Sequence, residues 1–212
     1  MTIKSIKRIV ATAFVAVASL TTLTPSAASQ MRWGATAGVL LTDLHFKQSL
    51  VGVSSVPGFA AGISGEMMFP GVGFGIDLGA QYEMRGAEVK LGEKRIWASQ
   101  GYGDTRFYLH YLNIPLHLRF KYTRLGGFED ILAPLVYVGP SFGFMLGHSD
   151  IDAFSFPLGE IGLNFGIGAE IKKRWQVTVE YNLGMTYCTK DRILTDYSAQ
   201  NREWKLAATY FF

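Results

Sequence analysis

The sequence predicts an all-β protein, a transmembrane antiparallel up-and-down β-barrel of eight strands. Three observations predict this fold. The chain begins with an export signal, it alternates apolar and polar residues with period two, and its connections alternate between long and short.

The N-terminus has the three-part layout of a secretory signal peptide. Three basic residues precede an apolar stretch from residue 9 to about residue 23, and small residues occupy positions 26–29. The apolar stretch is shorter than the roughly 20 apolar residues of a spanning helix. We therefore predict cleavage, and cuts after Ala28 or after Ser29 both satisfy the small-residue rule.

The chain is thus expected to have two parts, a signal peptide at 1–29 and an outer-membrane β-barrel domain at 30–212. The whole chain has 20 Lys and Arg against 17 Asp and Glu, and three of the basic residues lie in the signal peptide. The mature chain is therefore neutral, and no nucleic-acid partner is expected. Cys188 is the single cysteine, so neither an internal disulfide nor a lipid-modified N-terminus is predicted.

Period-two alternation is the main evidence for strands. In the clearest segment, 74–85, apolar residues alternate with Gly, Asp, Gln, Glu and Arg, and 160–171 and 175–184 repeat the pattern. Each strand is expected to be roughly 9–14 residues long. With local lapses, the alternation gives strands at about 32–41, 58–69, 74–85, 107–122, 135–147, 160–171, 175–184 and 201–212.

The connections between these strands differ in length. Longer ones fall at about 42–57, 86–106, 148–157 and 187–200, shorter ones at 70–72 and 172–174, and one of intermediate length at about 123–133. Long outer loops, short periplasmic turns and an even strand number are typical of outer-membrane barrels, and they leave both termini in the periplasm. We therefore predict a protein of the outer membrane of a Gram-negative bacterium, exported through the inner membrane with a cleaved signal peptide.

The charged face of the strands is expected to line the lumen. An ionised group facing lipid costs a few kcal/mol at the bilayer centre, whereas inside the barrel it can pair with another charge. Asp77 and Arg119 lie on neighbouring strands and are expected to pair, with Glu66 as a third candidate. The expected lumen charge network consists of Glu66, Asp77, Glu83, Arg85, Arg119, Glu180 and Lys205, and further inner charges are Lys121, Glu160, Glu170 and Glu203. Eight strands leave a lumen that such side chains fill.

Aromatic residues cluster near both ends of the predicted strands. Aromatic rings collect at the two headgroup levels of a membrane, which predicts two girdles around the barrel. The alternative is that aromatics simply favour strands. The periplasmic set is Trp33, Phe69, Phe74, Phe120, Tyr122, Trp175, Tyr210 and Phe212, and the outer set is Tyr82, Tyr108, Tyr187 and Trp204.

Four short motifs carry a family resemblance. They are Tyr111-Leu112-Asn113-Ile114-Pro115-Leu116, Tyr137-Val138-Gly139-Pro140-Ser141-Phe142-Gly143, Gly162-Leu163-Asn164-Phe165-Gly166-Ile167-Gly168-Ala169-Glu170 and Tyr210-Phe211-Phe212. They resemble the PorT-like outer-membrane β-barrel family of the Bacteroidota, also described as porin-family barrels, over essentially the whole mature chain. The resemblance implies an outer-membrane address and a barrel but no defined activity, since one relative belongs to a protein-secretion and gliding apparatus and most have no assigned role. Asn113 stands where the family more often has an acidic residue or Gln. Tyr210 and Phe212 are similar to the C-terminal signal that barrel-assembly machinery reads.

Two prolines fall inside predicted strands. Proline removes a donor from the strand ladder, so Pro115 predicts a bulge or irregularity, and Pro140 raises the same expectation in the next strand. The alternative interpretation is that the prolines mark a lateral opening in the barrel wall.

Two polar sets in the outer loops are candidate catalytic groups. They are Asp43 with His45, and His148 with Ser149, Asp150 and Asp152. Such sets at loop tips are more often solvated surface, so we predict no enzyme. His117 is expected to hydrogen-bond in the lumen, and no sequence pattern here predicts a metal site, a phosphate loop or a cofactor.

The function predicted from the sequence is a structural or surface-binding role for a barrel with a side-chain-filled lumen. The alternatives are a subunit of an envelope protein-export machine, a small pore, and a barrel enzyme acting on lipid or peptide. Trp97 and Tyr102 in the loop at 86–106 are candidate contacts, because function usually lies in loops on a rigid scaffold. Expected partners are outer-membrane lipid, the barrel-assembly machinery during biogenesis, and a surface ligand or envelope protein whose identity the sequence leaves open.

Overall fold

The computed structural model describes most of the chain beyond the N-terminus. The described residues are 31–46, 52–69, 71, 73–93, 95–123, 126–149, 154–155, 157–191 and 198–212. The predicted signal peptide at 1–29, together with Asp150 and Asp152, lies outside them.

The strands form one closed antiparallel barrel, so the predicted fold class is confirmed. Its strands are β1 (Met31–Phe46), β2 (Gly52–Met68), β3 (Phe74–Lys90), β4 (Asp104–Lys121), β5 (Leu132–His148), β6 (Phe154–Ser155), β7 (Gly159–Ile171), β8 (Trp175–Asp191) and β9 (Ser198–Phe211). Each long strand pairs with the next one along the chain, and β9 pairs back to β1 to close the barrel. The two-residue β6 pairs with the outer end of β8. Helix α1 (Arg95–Ala98) lies between β3 and β4, and a 3₁₀ turn (Phe128–Asp130) lies between β4 and β5.

The two faces of the strands differ as the alternation predicts. Apolar side chains on the outward face are exposed, for example Val39 at 60% and Ile63 at 53%, whereas the inward Glu66 is 1% exposed. This arrangement is the reverse of that in a water-soluble protein, and in a bilayer the lipid covers the apolar outward face. Aromatic pairs on the outward face mark both ends of this belt, with Phe74 against Phe120 at 5.0 Å at one end and Tyr181 against Trp204 at 4.8 Å at the other.

The outer ends of the strands extend farther than the sequence predicts. The segment expected to be a loop at 42–57 is mostly strand, and strands also extend into both ends of 86–106, so that the β3–β4 connection is only 91–103. The polarity of the two faces inverts at the outer ends of the strands, because Ala87, Val89 and Phe107 face inward and are fully buried. An apolar interior with a polar exterior is the pattern of a soluble barrel. Because the strands were predicted from an apolar outer face, their outer ends were not recognised.

This inversion indicates where the membrane ends. From Phe74 to Tyr82 a tilted strand rises about 20 Å, close to the roughly 25 Å height of the apolar band. Strand β3 continues from there to Lys90, which carries it about 20 Å farther. The upper parts of β2, β3 and β4 therefore stand above the outer leaflet.

The prolines interrupt the ladder without shifting its register. In the β3–β4 pair, the pairing stops at Leu78–Leu116 and resumes at Gln81–Asn113. In the β4–β5 pair, it is interrupted beside Pro115 and Pro140. The expected irregularity is thus present as missing pairs, because proline has no N–H to donate. The register shifts lie elsewhere, in the outer half of the barrel, for example at His110–Tyr111 in the β4–β5 pair.

Candidate functional site

The lumen is filled from end to end with packed side chains, which form three layers. The periplasmic cluster comprises Arg32, Glu66, Asp77, Arg119, Lys121 and Glu170. The middle cluster comprises Glu83, Arg85, Glu160, Glu180, Glu203 and Lys205. The apolar plug at the outer end comprises Leu40, Val56, Ala87, Val89, Phe107 and Leu109.

Arg119 is the centre of the periplasmic cluster. Its Nε donates to Asp77 Oδ2 at 2.8 Å, and its Nη1 contacts Glu66 and donates to Gln176 Oε1 at 2.7 Å. Lys121 Nζ lies 2.6 Å from Glu66 Oε1 and 2.9 Å from Glu170 Oε2, and it therefore links the two carboxylates. The cluster contains three basic and three acidic side chains, so its charges balance.

Arg32 closes the periplasmic mouth of the lumen. It contacts Glu66 and Glu170, its side chain is 31% exposed, and its guanidinium lies 4.7 Å from the ring centre of Phe211. We did not single out Arg32 from the sequence, although alternation over β1 places even-numbered residues inside. The signal was therefore present in the pattern.

Arg85 is the centre of the middle cluster. It contacts Glu83 on its own strand, Glu160 across the lumen on β7, and Glu203 Oε2 on β9 at 2.9 Å. Lys205 Nζ contacts Glu180 at 2.6 Å and Glu83 at 3.3 Å. Four carboxylates thus share two basic side chains. These contacts tie opposite walls of the barrel together.

Neutral polar groups connect the two clusters. Tyr137 donates to Glu180 Oε2 at 2.8 Å, and its ring stacks on His117 at 4.7 Å. Asn164 Nδ2 lies 3.1 Å from His117 Nε2 and 3.1 Å from Glu180 Oε1. A cavity of about 40 Å³ lies between the clusters and is bordered by Thr36, Gln81 and other polar side chains. A polar space of this size suits a few buried waters.

Small residues make room for the large ones in this narrow lumen. Gly166 lies directly across from Tyr137 in the β5–β7 pair. A Cβ atom on Gly166 would overlap the Tyr137 ring. Gly162 and Gly166 of the third motif therefore leave space for side chains of neighbouring strands.

The apolar plug closes the outer end of the lumen. Its side chains are at most 2% exposed, and Leu91 and Ala199 are buried beside them. Thr42 Oγ1 accepts from Gly86 N at 2.9 Å and donates to Gly86 O at 2.7 Å, which ties β1 to β3 across this layer. Ions that entered the polar half would meet, among the described residues, a mainly apolar layer that cannot replace their hydration.

The family model for the outer membrane protein beta-barrel domain matches residues 11–212. The chain belongs to this family. The protein is accordingly assigned to the outer membrane. No curated protein matches the chain significantly.

Comparison with solved structures finds other outer-membrane barrels. OprG from Pseudomonas aeruginosa is 14% identical with a TM-score of 0.54, and the match covers 87% of this chain and 97% of OprG. Neisserial surface protein A is 16% identical with a TM-score of 0.47, covering 85% of this chain and 97% of that one. Ail of Yersinia pestis is 13% identical with a TM-score of 0.44, covering 86% and 99%. At 14% identity the likeness to OprG concerns the fold alone.

The other candidates from the sequence lie away from the lumen. Asp43 and His45 lie on the outward face of β1, and His148 is exposed at the end of β5, where its Nδ1 is 3.2 Å from Ser149 O. Tyr102 is half-buried in the β3–β4 connection, and the side chain of Trp97 is outside the described part of the chain. The described residues contain no group of three or more His, Cys, Asp or Glu that could hold a metal. No helix among them is long and apolar enough to cross a membrane.

Proposed function

We propose that this outer-membrane barrel acts through its outer surface, in a structural or surface-binding role, and not as an open pore. The observation that carries the proposal is the closed lumen. The periplasmic and middle clusters pair their charges across it, and the apolar plug covers its outer end. Because these contacts close the lumen, we expect the protein to function through the exterior of the barrel.

The surface best placed for contacts is the part of β2, β3 and β4 above the membrane. Its outward face carries charged side chains, and Arg106 Nη2 contacts Glu88 Oε2 there at 2.7 Å. The connection at 91–103, with helix α1 and Tyr102, stands above this sheet. A rigid, raised sheet that presents a short loop is a typical platform for binding.

The finer family assignment is also a proposal. The Ile114-Pro115 and Gly139-Pro140 motifs support PorT-like membership, and with it the alternative of a subunit in an envelope protein-export machine. Purification of the intact barrel from outer membranes separates the two roles. An export subunit should retain envelope proteins in fixed ratio, whereas a stand-alone surface barrel should not. The mass of the purified chain also tests cleavage near residue 29.

The surface role requires that the β3–β4 connection face the outside of the cell. We expect a cysteine at Gly103, in a Cys188→Ser background, to react with a membrane-impermeant maleimide on intact cells. Gly103 suits this test because a Cβ there would meet no atom within 4 Å and because its φ is not positive. A cysteine at Thr123, which is exposed in the β4–β5 connection and does not have a positive φ, is the matched control and should react only after lysis. The reverse labelling pattern would overturn the orientation and the proposed function with it.

A further inference from the structure

The tight turn between β7 and β8 carries three consecutive basic residues, Lys172, Lys173 and Arg174. Lys172 and Lys173 both adopt left-handed backbone conformations, with φ of 50° and 56°. Turns with two consecutive left-handed residues strongly prefer Asn-Gly, because side chains with a Cβ are strained there. Two lysines therefore occupy positions whose backbone conformation favours Asn and Gly. Backbone strain of this kind is often found at functional sites.

Neighbouring segments hold this turn in place. Arg174 N donates to Ile171 O at 3.2 Å, and Lys172 N donates to Ile131 O at 2.9 Å in the β4–β5 connection. Arg32 Nη1 donates to Lys173 O at 2.8 Å. The backbone of the turn is therefore held in one conformation.

The three side chains are exposed and only partly neutralised. Lys173 Nζ lies 2.6 Å from Asp130 Oδ1, and this hydrogen bond raises the pKa of Lys173. Both partners are 61% exposed, so the pair is well solvated. Among the described residues we find no acidic partner for Lys172 or Arg174. A surplus of positive charge thus remains on the turn.

The turn adjoins the periplasmic aromatic girdle. Trp175 follows Arg174 directly, is 51% exposed, and packs against Tyr210 at 4.9 Å. Tyr210 in turn contacts Phe212 at 6.2 Å, and Phe212 is 82% exposed. Aromatic girdles lie at the headgroup level, so the three basic side chains lie in the layer that contains lipid phosphates.

We propose that Lys172, Lys173 and Arg174, together with Trp175, form a binding site for the phosphate headgroup of an anionic phospholipid in the periplasmic leaflet. The lysines supply charge, Arg174 supplies a forked donor for phosphate oxygens, and Trp175 packs on the glycerol and upper acyl region. The aromatic girdle favours a lipid over a soluble acidic protein, because it places the site inside the membrane interface.

The test is a variant that removes charge and strain together, Lys172→Asn with Lys173→Gly. In mixed micelles, native mass spectrometry should show that the wild type retains dioleoylphosphatidylglycerol in preference to dioleoylphosphatidylcholine. Each basic residue near an anionic surface contributes roughly a fivefold change in binding, so the variant should lose about 25-fold for phosphatidylglycerol. Its urea midpoint in phosphatidylcholine vesicles should stay equal or rise, because the left-handed positions then hold residues that tolerate them.

Two controls define the site. Lys90→Gln with Arg106→Gln removes two exposed charges at the outer end of the barrel and should leave phosphatidylglycerol retention unchanged. Excess inorganic phosphate should displace the lipid only weakly, and efficient displacement would overturn the lipid assignment in favour of a free-phosphate site. Equal retention of both lipids by the wild type, or a lower urea midpoint for the lysine variant, would contradict the proposal. Unchanged lipid retention with loss of a co-purified acidic protein would overturn it in favour of a protein partner.

Discussion

Replacing either Asp77 or Arg119 alone should strongly destabilise the barrel, whereas replacing both should cost much less than the sum of the two. Each single change, Asp77→Ala or Arg119→Met, leaves the periplasmic cluster with one unbalanced buried charge. Breaking a buried ion pair costs about 3–5 kcal/mol, while apolar replacement of both partners is often nearly neutral. The double variant restores the balance, since Arg32 and Lys121 then face Glu66 and Glu170.

Urea unfolding in lipid vesicles measures these free energies, with heat-modifiable gel mobility to confirm that each variant folds. Arg106→Met is the matched control, because Arg106 contacts Glu88 at 2.7 Å but is 55% exposed. Exposed pairs contribute less than about 1 kcal/mol, so this control should unfold nearly as the wild type does. Strictly additive losses at Asp77 and Arg119 would show that the pair does not interact.

The middle cluster should respond very differently to the loss of a base and the loss of an acid. Arg85→Met leaves four buried carboxylates with Lys205 as the only base of the cluster, and should cost at least the roughly 3–5 kcal/mol of a broken buried pair. Glu203→Gln should cost much less, because it removes one of four acidic side chains that share two bases and because Arg85 retains Glu83 and Glu160. Glu203 Oε2 lies 2.9 Å from Arg85 Nε but accepts no hydrogen bond in the described structure.

The folded fraction on unheated gels and the urea midpoint in vesicles test this asymmetry. If Arg85→Met does not fold at all, Glu203→Gln alone still decides the matter. An equal loss of stability in Glu203→Gln and Arg85→Met would mean that the surplus of acidic side chains has no energetic consequence. The described charge balance of the cluster would then be wrong.

The membrane-spanning half of the barrel was predictable because lipid imposes one rule on every strand. Asp77, Glu83 and Arg119 all follow from alternation, since an ionised side chain on a spanning strand has to face inward. The pairing of Asp77 with Arg119 also follows, because neighbouring strands bring the two to the same level. Contacts across the lumen, such as that from Arg85 to Glu160, did not follow, because they depend on the barrel's closure and not on adjacent strands.

The outer half was harder to predict, since water replaces lipid outside the barrel there. Val89 and Phe107 face inward, and Glu88 faces outward, which inverts the pattern that identified the spanning strands. The same segment read alone resembles a charged loop, and the strands were therefore predicted too short. Bulge positions were also missed, because the register shift between Ser55 and Phe59 has no sequence signal as plain as a proline.

The most direct test of the closed lumen is the ionic current through the purified, folded barrel in a planar bilayer. The two charge clusters and the apolar plug predict no steady current above that of the bare bilayer, with a general porin in the same bilayers as the positive control. Folding is verified on an unheated gel before insertion. Stable, discrete channels from the folded monomer would contradict the closed lumen and would make the small-pore alternative correct.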